Sequence, residues 1–119
     1  PLGENVVGGS ASFDRPNAGQ LNINQHTNRV VINWDSFNIG QNATTQFYQP
    51  GSNSLAVNRV TGKNDDPTQI LGSLKANGRV MVLDRNGVFF GATLQDVVGV
   101  NLAAEYSELD PLVYNGQQV

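Results

Sequence analysis

Ile32-Asn33-Trp34-Asp35-Ser36-Phe37-Asn38-Ile39-Gly40 holds the only tryptophan of the chain, set among asparagines, an aspartate and a serine. It opens with the apolar and β-branched residues of a strand and passes into turn residues. Two readings compete. In one, the polar residues around Trp34 form a site. In the other, the stretch is one edge of a coil, with apolar side chains turned in and polar ones turned out.

The same texture extends in both directions. Strand-like runs recur at Val6–Val7, Ala11–Phe13, Leu21–Ile23, Val30–Trp34, Thr45–Tyr48, Leu55–Val60, Arg79–Leu83, Val88–Phe90 and Val97–Leu102. Turn residues separate them, among them Pro16-Asn17-Ala18-Gly19, Pro50-Gly51, Asp65-Asp66-Pro67, Asn77-Gly78 and Asn86-Gly87. Short strands punctuated in this way mark an all-β sandwich, barrel or solenoid. Leu21 and Ile23 alternate with Asn22 and Asn24, which turns one face inward. Thr93–Val98 fits a short helix with Thr93 as its cap, but Val97-Val98 fits a strand as well. The Asn-Gly pairs suit hairpin turns. They also suit solenoid corners, where asparagine reaches left-handed angles and its amide bonds above and below. Composition leaves sandwich and solenoid even.

At 119 residues the chain fits one domain with a real core. Charged residues make up only 14%, so its polarity comes from Asn, Gln, Ser and Thr. A net charge of −3 with basic residues scattered from Arg15 to Arg85 argues against nucleic acid as a partner. The absence of cysteine excludes disulfides and thiolate metal sites. It suits a large bacterial exported protein that crosses the periplasm unfolded. No run approaches a membrane span, and Pro1-Leu2-Gly3-Glu4-Asn5 lacks the regions of a signal peptide, so an exported protein would have shed its leader.

The chemistry-bearing residues are sparse. His26 is the only histidine and sits in the polar turn Gln25-His26-Thr27-Asn28, which reads as surface. Asp65-Asp66 has the composition of an acid–base pair for glycosides, but neighbours in a strand face opposite ways and Asp-Asp-Pro reads as a loop. Thr61-Gly62-Lys63 lacks the first glycine and the Ser/Thr of a phosphate loop. Asp84-Arg85-Asn86-Gly87 lacks the spacing of a calcium loop, and Asn42-Ala43-Thr44 is a lone glycosylation sequon. Trp34, Phe37, Phe47, Phe89 and Phe90 read as core. No catalytic, metal or cofactor site is expected, and the chain reads as a non-enzyme.

Six motifs in order carry a resemblance. They are the opening Pro1–Ala11, Ile32–Gly40, Asn58-Arg59-Val60-Thr61-Gly62, Pro67–Leu74, Ala76-Asn77-Gly78-Arg79-Val80 and Asn86-Gly87-Val88-Phe89-Phe90-Gly91. Over Pro1 to Leu102 the chain resembles the N-terminal two-partner secretion domain of the filamentous haemagglutinin family, also called the haemagglutination activity domain. It departs from the family at Asp84-Arg85, where Asn-Pro is usual, which frees φ at Arg85 and predicts a looser corner or one of another turn type. It departs again after Leu102, where Ala103-Ala104-Glu105-Tyr106 replaces a Thr/Ser run.

The resemblance implies a right-handed parallel β-helix with an N-terminal cap and extra β elements, as a single two-partner secretion domain over residues 1–119. Residues 1–20 would form the cap, 21–102 the rungs and 103–119 a last coil or divergent tail. Rungs of roughly twenty residues would give about five. The implied function is the secretion and folding-initiation module of a large exoprotein or adhesin. Its partner would be a dedicated outer-membrane β-barrel transporter, whose periplasmic domains meet an extended chain. The motif positions carried over for recognition are Asn33, Trp34, Phe37, Asn38, Asn58, Arg59, Val60, Gly72, Asn77, Gly78, Asn86 and Gly87. The implied location is the surface of a Gram-negative bacterium. Adhesion to a host surface or glycan is the alternative.

Overall fold

The computed structural model describes residues 1–90, 100–106 and 111–113. In chain order the strands are β1 Asn5–Gly8, β2 Ala11–Asn17, β3 Gln20–Gln25, β4 Arg29–Trp34, β5 Thr44–Tyr48, β6 Leu55–Val60, β7 Thr68–Ile70, β8 Ser73–Ala76, β9 Arg79–Leu83, β10 Val88–Phe90, β11 Val100–Tyr106 and β12 Pro111–Val113. No helix occurs among the described residues, and Thr93–Val98, the helix candidate, lies outside them. Strands β7 and β8 were not legible as strands because they span only 3 and 4 residues, too few for an alternating pattern to stand out.

The strands form three sheets, ordered β1-β4-β6-β9-β11-β12, β2-β3-β5-β8 and β10-β7. Apart from β2–β3 and β11–β12, consecutive strands fall in different sheets: β3 is followed by β4, β5 by β6 and β8 by β9. Each then pairs in parallel with a strand from a later passage of the chain, β3 with β5 and β5 with β8, β4 with β6, β6 with β9 and β9 with β11. Parallel neighbours need a long crossover, here supplied by the other sheets. Asn77-Gly78 and Asn86-Gly87 are therefore corners between sheets, not hairpin turns. Among the described residues antiparallel strand pairing joins β1 with β4, β2 with β3 and β11 with β12, and an isolated antiparallel bridge joins Leu2 and Ser36.

Parallel partners lie twenty residues apart or more in sequence: Thr68 pairs with Val88 and Val80 with Val100, twenty apart, whereas Arg29 pairs with Leu55 and Thr44 with Ser73. Trp34 and Asn58 are 24 apart and Asn38 and Gln69 are 31 apart. The longest parallel run among the described residues is accordingly four strands, β4, β6, β9 and β11.

Alternation fills the interior. Leu21, Ile23, Val30, Ile32, Trp34, Phe37, Ile39, Phe47, Ile70, Leu74, Val80 and Val82 are buried. Register places them in columns: Val30 beside Ala56 beside Val80, and Ile23 beside Phe47 beside Ala76. Trp34 meets Phe13 of β2 edge to face at 5.7 Å and Phe37 at 5.4 Å, and Phe37 stacks on Phe47 at 6.5 Å. Phe89 departs from the expected core: it is 56% exposed. In β10, Val88 packs against the core, so the next side chain must face out.

Candidate functional site

The opening stretch and the Asn58 motif lie directly on each other. Register pairs Ile32 with Asn58, Asn33 with Arg59 and Trp34 with Val60. Asn58 occupies an inward position between Ile32 and Val82 and is fully buried. A buried amide is tolerated only when its atoms are bonded. Asn58 Oδ1 accepts the Trp34 Nε1–H at 2.9 Å, and its Nδ2 donates to the Met81 carbonyl at 3.2 Å. One side chain thus ties three successive parallel strands. Outside the same ladder, Arg59 Nε donates to Asn33 Oδ1 at 2.9 Å.

The corner after Trp34 is held from two sides. Asp35 N–H donates to the Leu2 carbonyl at 2.9 Å, and Thr61 N–H to the Trp34 carbonyl at 2.8 Å. A Cβ on Gly62 would stand 2.1 Å from the Asp35 carbonyl oxygen, so only glycine fits that approach. Asn38 is exposed, and its Oδ1 accepts the Gln69 N–H at 2.8 Å. Gly72 is equally confined, with the Gly40 carbonyl oxygen 2.1 Å from a built Cβ.

A second polar column runs along the Asn77 corner. Asn77 brackets the Gln49 backbone, its Oδ1 accepting the Gln49 N–H at 2.7 Å and its Nδ2 donating to the Gln49 carbonyl at 2.8 Å. The Gln49 side chain is buried and accepts the Gly78 N–H at 2.8 Å. Its Nε2 donates to Gln25 Oε1 at 3.0 Å and to the Arg79 carbonyl at 2.9 Å. Gln25 in turn donates to the Thr27, Asn28 and Leu55 carbonyls. Sequence reading missed Gln25 and Gln49. Their signal was parity: each lies two residues beyond an inward Ile23 or Phe47.

At the third corner, Asp84 takes over from the missing proline. Its buried carboxylate accepts the Asn86 N–H at 2.9 Å and the Thr68 hydroxyl at 2.7 Å. Gly87, with φ of 98°, donates its N–H to the Asp84 carbonyl and closes the turn. The corner is not loosened; side-chain bonds fix it.

Little here resembles a reaction centre. Asp65 and Asp66 sit exposed in the loop before β7, and His26 is exposed beside Ser12. Among the described residues no group of metal-binding side chains gathers. A cleft of about 650 Å³ opens between the β2–β3 turn and the Asn38–Ala43 loop, and among the described residues Arg15 is the one charged side chain lining it. Arg15 is already engaged, its Nη1 and Nη2 each donating to the Glu4 carboxylate at 2.8 Å. Those hydrogen bonds hold the Glu4 carboxyl below its usual range.

Among the described residues, then, buried columns of bonded amides and closed corners tie parallel strands together, and no acid–base pair is assembled. The sequence model of the TPS secretion domain family matches residues 5–104. The chain belongs to that family. A heme/hemopexin-binding protein of Haemophilus influenzae strain Rd is 42% identical over 118 residues, 98% of this secretion domain and 12% of that protein. A second heme/hemopexin-binding protein of Haemophilus influenzae is 38% identical over 74% of the chain and 9% of its own length. The chain thus spans about a tenth of the curated relatives it matches. Among solved structures, the HMW1 secretion domain from Haemophilus influenzae superposes with a TM-score of 0.69 at 36% identity, over 76% of this chain and 23% of that one. The family is one of secretion domains and not of enzymes, and membership marks an exported protein that passes the outer membrane.

Proposed function

We propose that this secretion domain is the N-terminal secretion and folding-initiation module of a large bacterial exoprotein, recognised by a dedicated outer-membrane β-barrel transporter through its periplasmic domains. The observation that carries this is the family match over residues 5–104. In this reading the three sheets are the faces of a right-handed parallel β-helix, and β1 and β2 are its cap. Antiparallel edge strands bearing Asp14, Arg15 and Pro16 blunt the end against pairing with another chain. Each circuit of such a coil rests on the one before, so a formed first segment templates the next without an energy source outside the cell. The motif residues act chiefly through the fold. Asn58, Asn77 and Gly78 join successive circuits, Trp34, Phe37 and Val60 fill the core, and Asn38, Gly72, Asn86 and Gly87 set corners. The protein is then displayed on or released from the surface of a Gram-negative cell and has no catalytic role.

The test is export. The chain fused ahead of a passenger is coexpressed with its transporter, and the medium and cell surface are assayed. Export that requires the transporter is expected; equal release without it would overturn the reading.

A further inference from the structure

The corner between β8 and β9 consists of two residues, Asn77 and Gly78. In an Asn-Gly pair the main-chain nitrogen can attack the side-chain amide, because glycine has no Cβ to shield that nitrogen or restrict its approach. The chain has such pairs at Asn77-Gly78, Asn86-Gly87 and Asn115-Gly116, the last outside the described residues.

Burial does not protect Asn77, whose side chain is exposed. Hydrogen bonds do. The Gly78 N–H is held by Gln49 Oε1 at 2.8 Å, and Asn77 Oδ1 and Nδ2 are held by the Gln49 N–H and carbonyl. For the Gly78 nitrogen to reach Asn77 Cγ, all three bonds to Gln49 must open. They span 28 or 29 positions of sequence, so none exists before β5 and β8 are stacked. Asn86-Gly87 is held more simply: the Gly87 N–H donates to the nearby Asp84 carbonyl, and Asn86 Nδ2 gives one exposed bond to the Asn64 carbonyl.

We propose that Asn77-Gly78 is a self-modification site, closed in the folded domain and open in the unfolded chain, whose reaction ends the ability of the chain to fold. The Gly78 nitrogen loses its proton and bonds to Asn77 Cγ; the Cγ–Nδ2 bond breaks, and ammonia leaves with that proton. Water then opens the succinimide ring at either carbonyl, leaving aspartate or an isoaspartate whose main chain runs through the former side chain. Neither product fits the corner. Aspartate has no donor, so an oxygen faces the Gln49 carbonyl where Nδ2 donates at 2.8 Å. Isoaspartate adds a methylene to the main chain of a two-residue corner, where a Cβ on Gly78 would already stand 2.7 Å from the Gly51 carbonyl oxygen. At Asn86, by contrast, aspartate loses one exposed bond in a four-residue link from β9 to β10. The bearing on export rests on the secretion reading: a chain that waits unfolded has a limited time in which to fold.

The experiment ages the purified chain in guanidinium chloride at mildly alkaline pH, beside the folded chain in the same buffer without denaturant. Peptide mass spectrometry locates aspartate and isoaspartate, and dilution followed by Trp34 emission gives the fraction that refolds. Asn77 is expected to convert at least about tenfold faster in the unfolded chain, since a site that reacts only when open is slowed by its opening equilibrium. The refolding fraction is expected to fall in step with intact Asn77. Asn86→Asp/Asn115→Asp is expected to refold as wild type when fresh and to lose that ability on the same schedule. Asn77→Asp is expected to unfold at lower urea than wild type or not to fold at all. Equal conversion of Asn77 in folded and unfolded chains, refolding of aged chains in which Asn77 is converted, or a wild-type urea midpoint for Asn77→Asp each overturns the proposal. No transporter enters the assay, so these failures leave the secretion reading standing, and release without the transporter leaves this proposal standing.

Discussion

At the scale of single residues, the informative position is Asn58. It places a polar amide where its ladder neighbours Ile32 and Val82 are aliphatic, and it is tolerated because Trp34 Nε1 and the Met81 carbonyl take up its bonds. Asn58→Ala strands the indole N–H in the core, and leaving a buried donor unpaired costs about 1–3 kcal/mol. Urea unfolding followed by circular dichroism should show that loss. Trp34→Phe removes the donor as well, so the double variant should lose less than the sum of the single losses. Additive losses would show that the bond contributes nothing. The sequence displayed Asn58 as a motif residue but not its partner, because the partnership depends on which strand is stacked on which.

At the scale of elements, corners decide the structure. Strand positions were legible wherever apolar residues alternate over five or more positions, as in β4, β6 and β9, and illegible in the short β7 and β8. The sheet to which a strand belongs was not legible at all. Asn-Gly fits hairpin and corner equally, and only the pairing of β8 with β5 and of β9 with β6 separates them. Close approach at these corners makes a sharp contrast. Gly62→Ala drives a Cβ into the Asp35 backbone and should destabilise by about 1–3 kcal/mol. Gly51 has nothing within 4 Å of a built Cβ and no positive φ, so Gly51→Ala should be neutral or stabilise by up to about 1 kcal/mol. Both are read from urea midpoints. The link from β2 to the segment before β1 is electrostatic, through Arg15 and Glu4. Because Arg15 lowers the Glu4 pKa from its usual 4.5, this contribution is present above about pH 4.5 and fades as pH falls through the lowered value. The pair is partly exposed, so the contribution is under about 1 kcal/mol. Glu4→Gln should remove that step from the acid side of a stability-versus-pH curve, and an unchanged curve would count against the pair.

At the scale of the whole molecule, the polar columns make each passage of the chain depend on the next. Trp34 is completed by Asn58, Gln25 by Gln49, and Gln49 by Gly78 and Arg79. None of these bonds joins neighbours in sequence, which is why composition alone supported a sandwich as readily as stacked coils. Dependence in this direction sets a minimum length for the folding unit, since a chain cut after its first passage would expose Ile23, Ile32 and Trp34 and leave the Trp34 and Gln25 side chains without their later partners. A chain ending at Tyr48 should therefore show red-shifted emission from a hydrated Trp34 and no cooperative urea transition. A chain ending at Phe90 contains the partners of all three corners, and it should unfold cooperatively with Trp34 emission shifted to the blue. If the shorter chain already unfolds as a cooperative unit with a buried tryptophan, the columns merely decorate a self-sufficient first layer, and growth by stacking loses its physical basis in this domain.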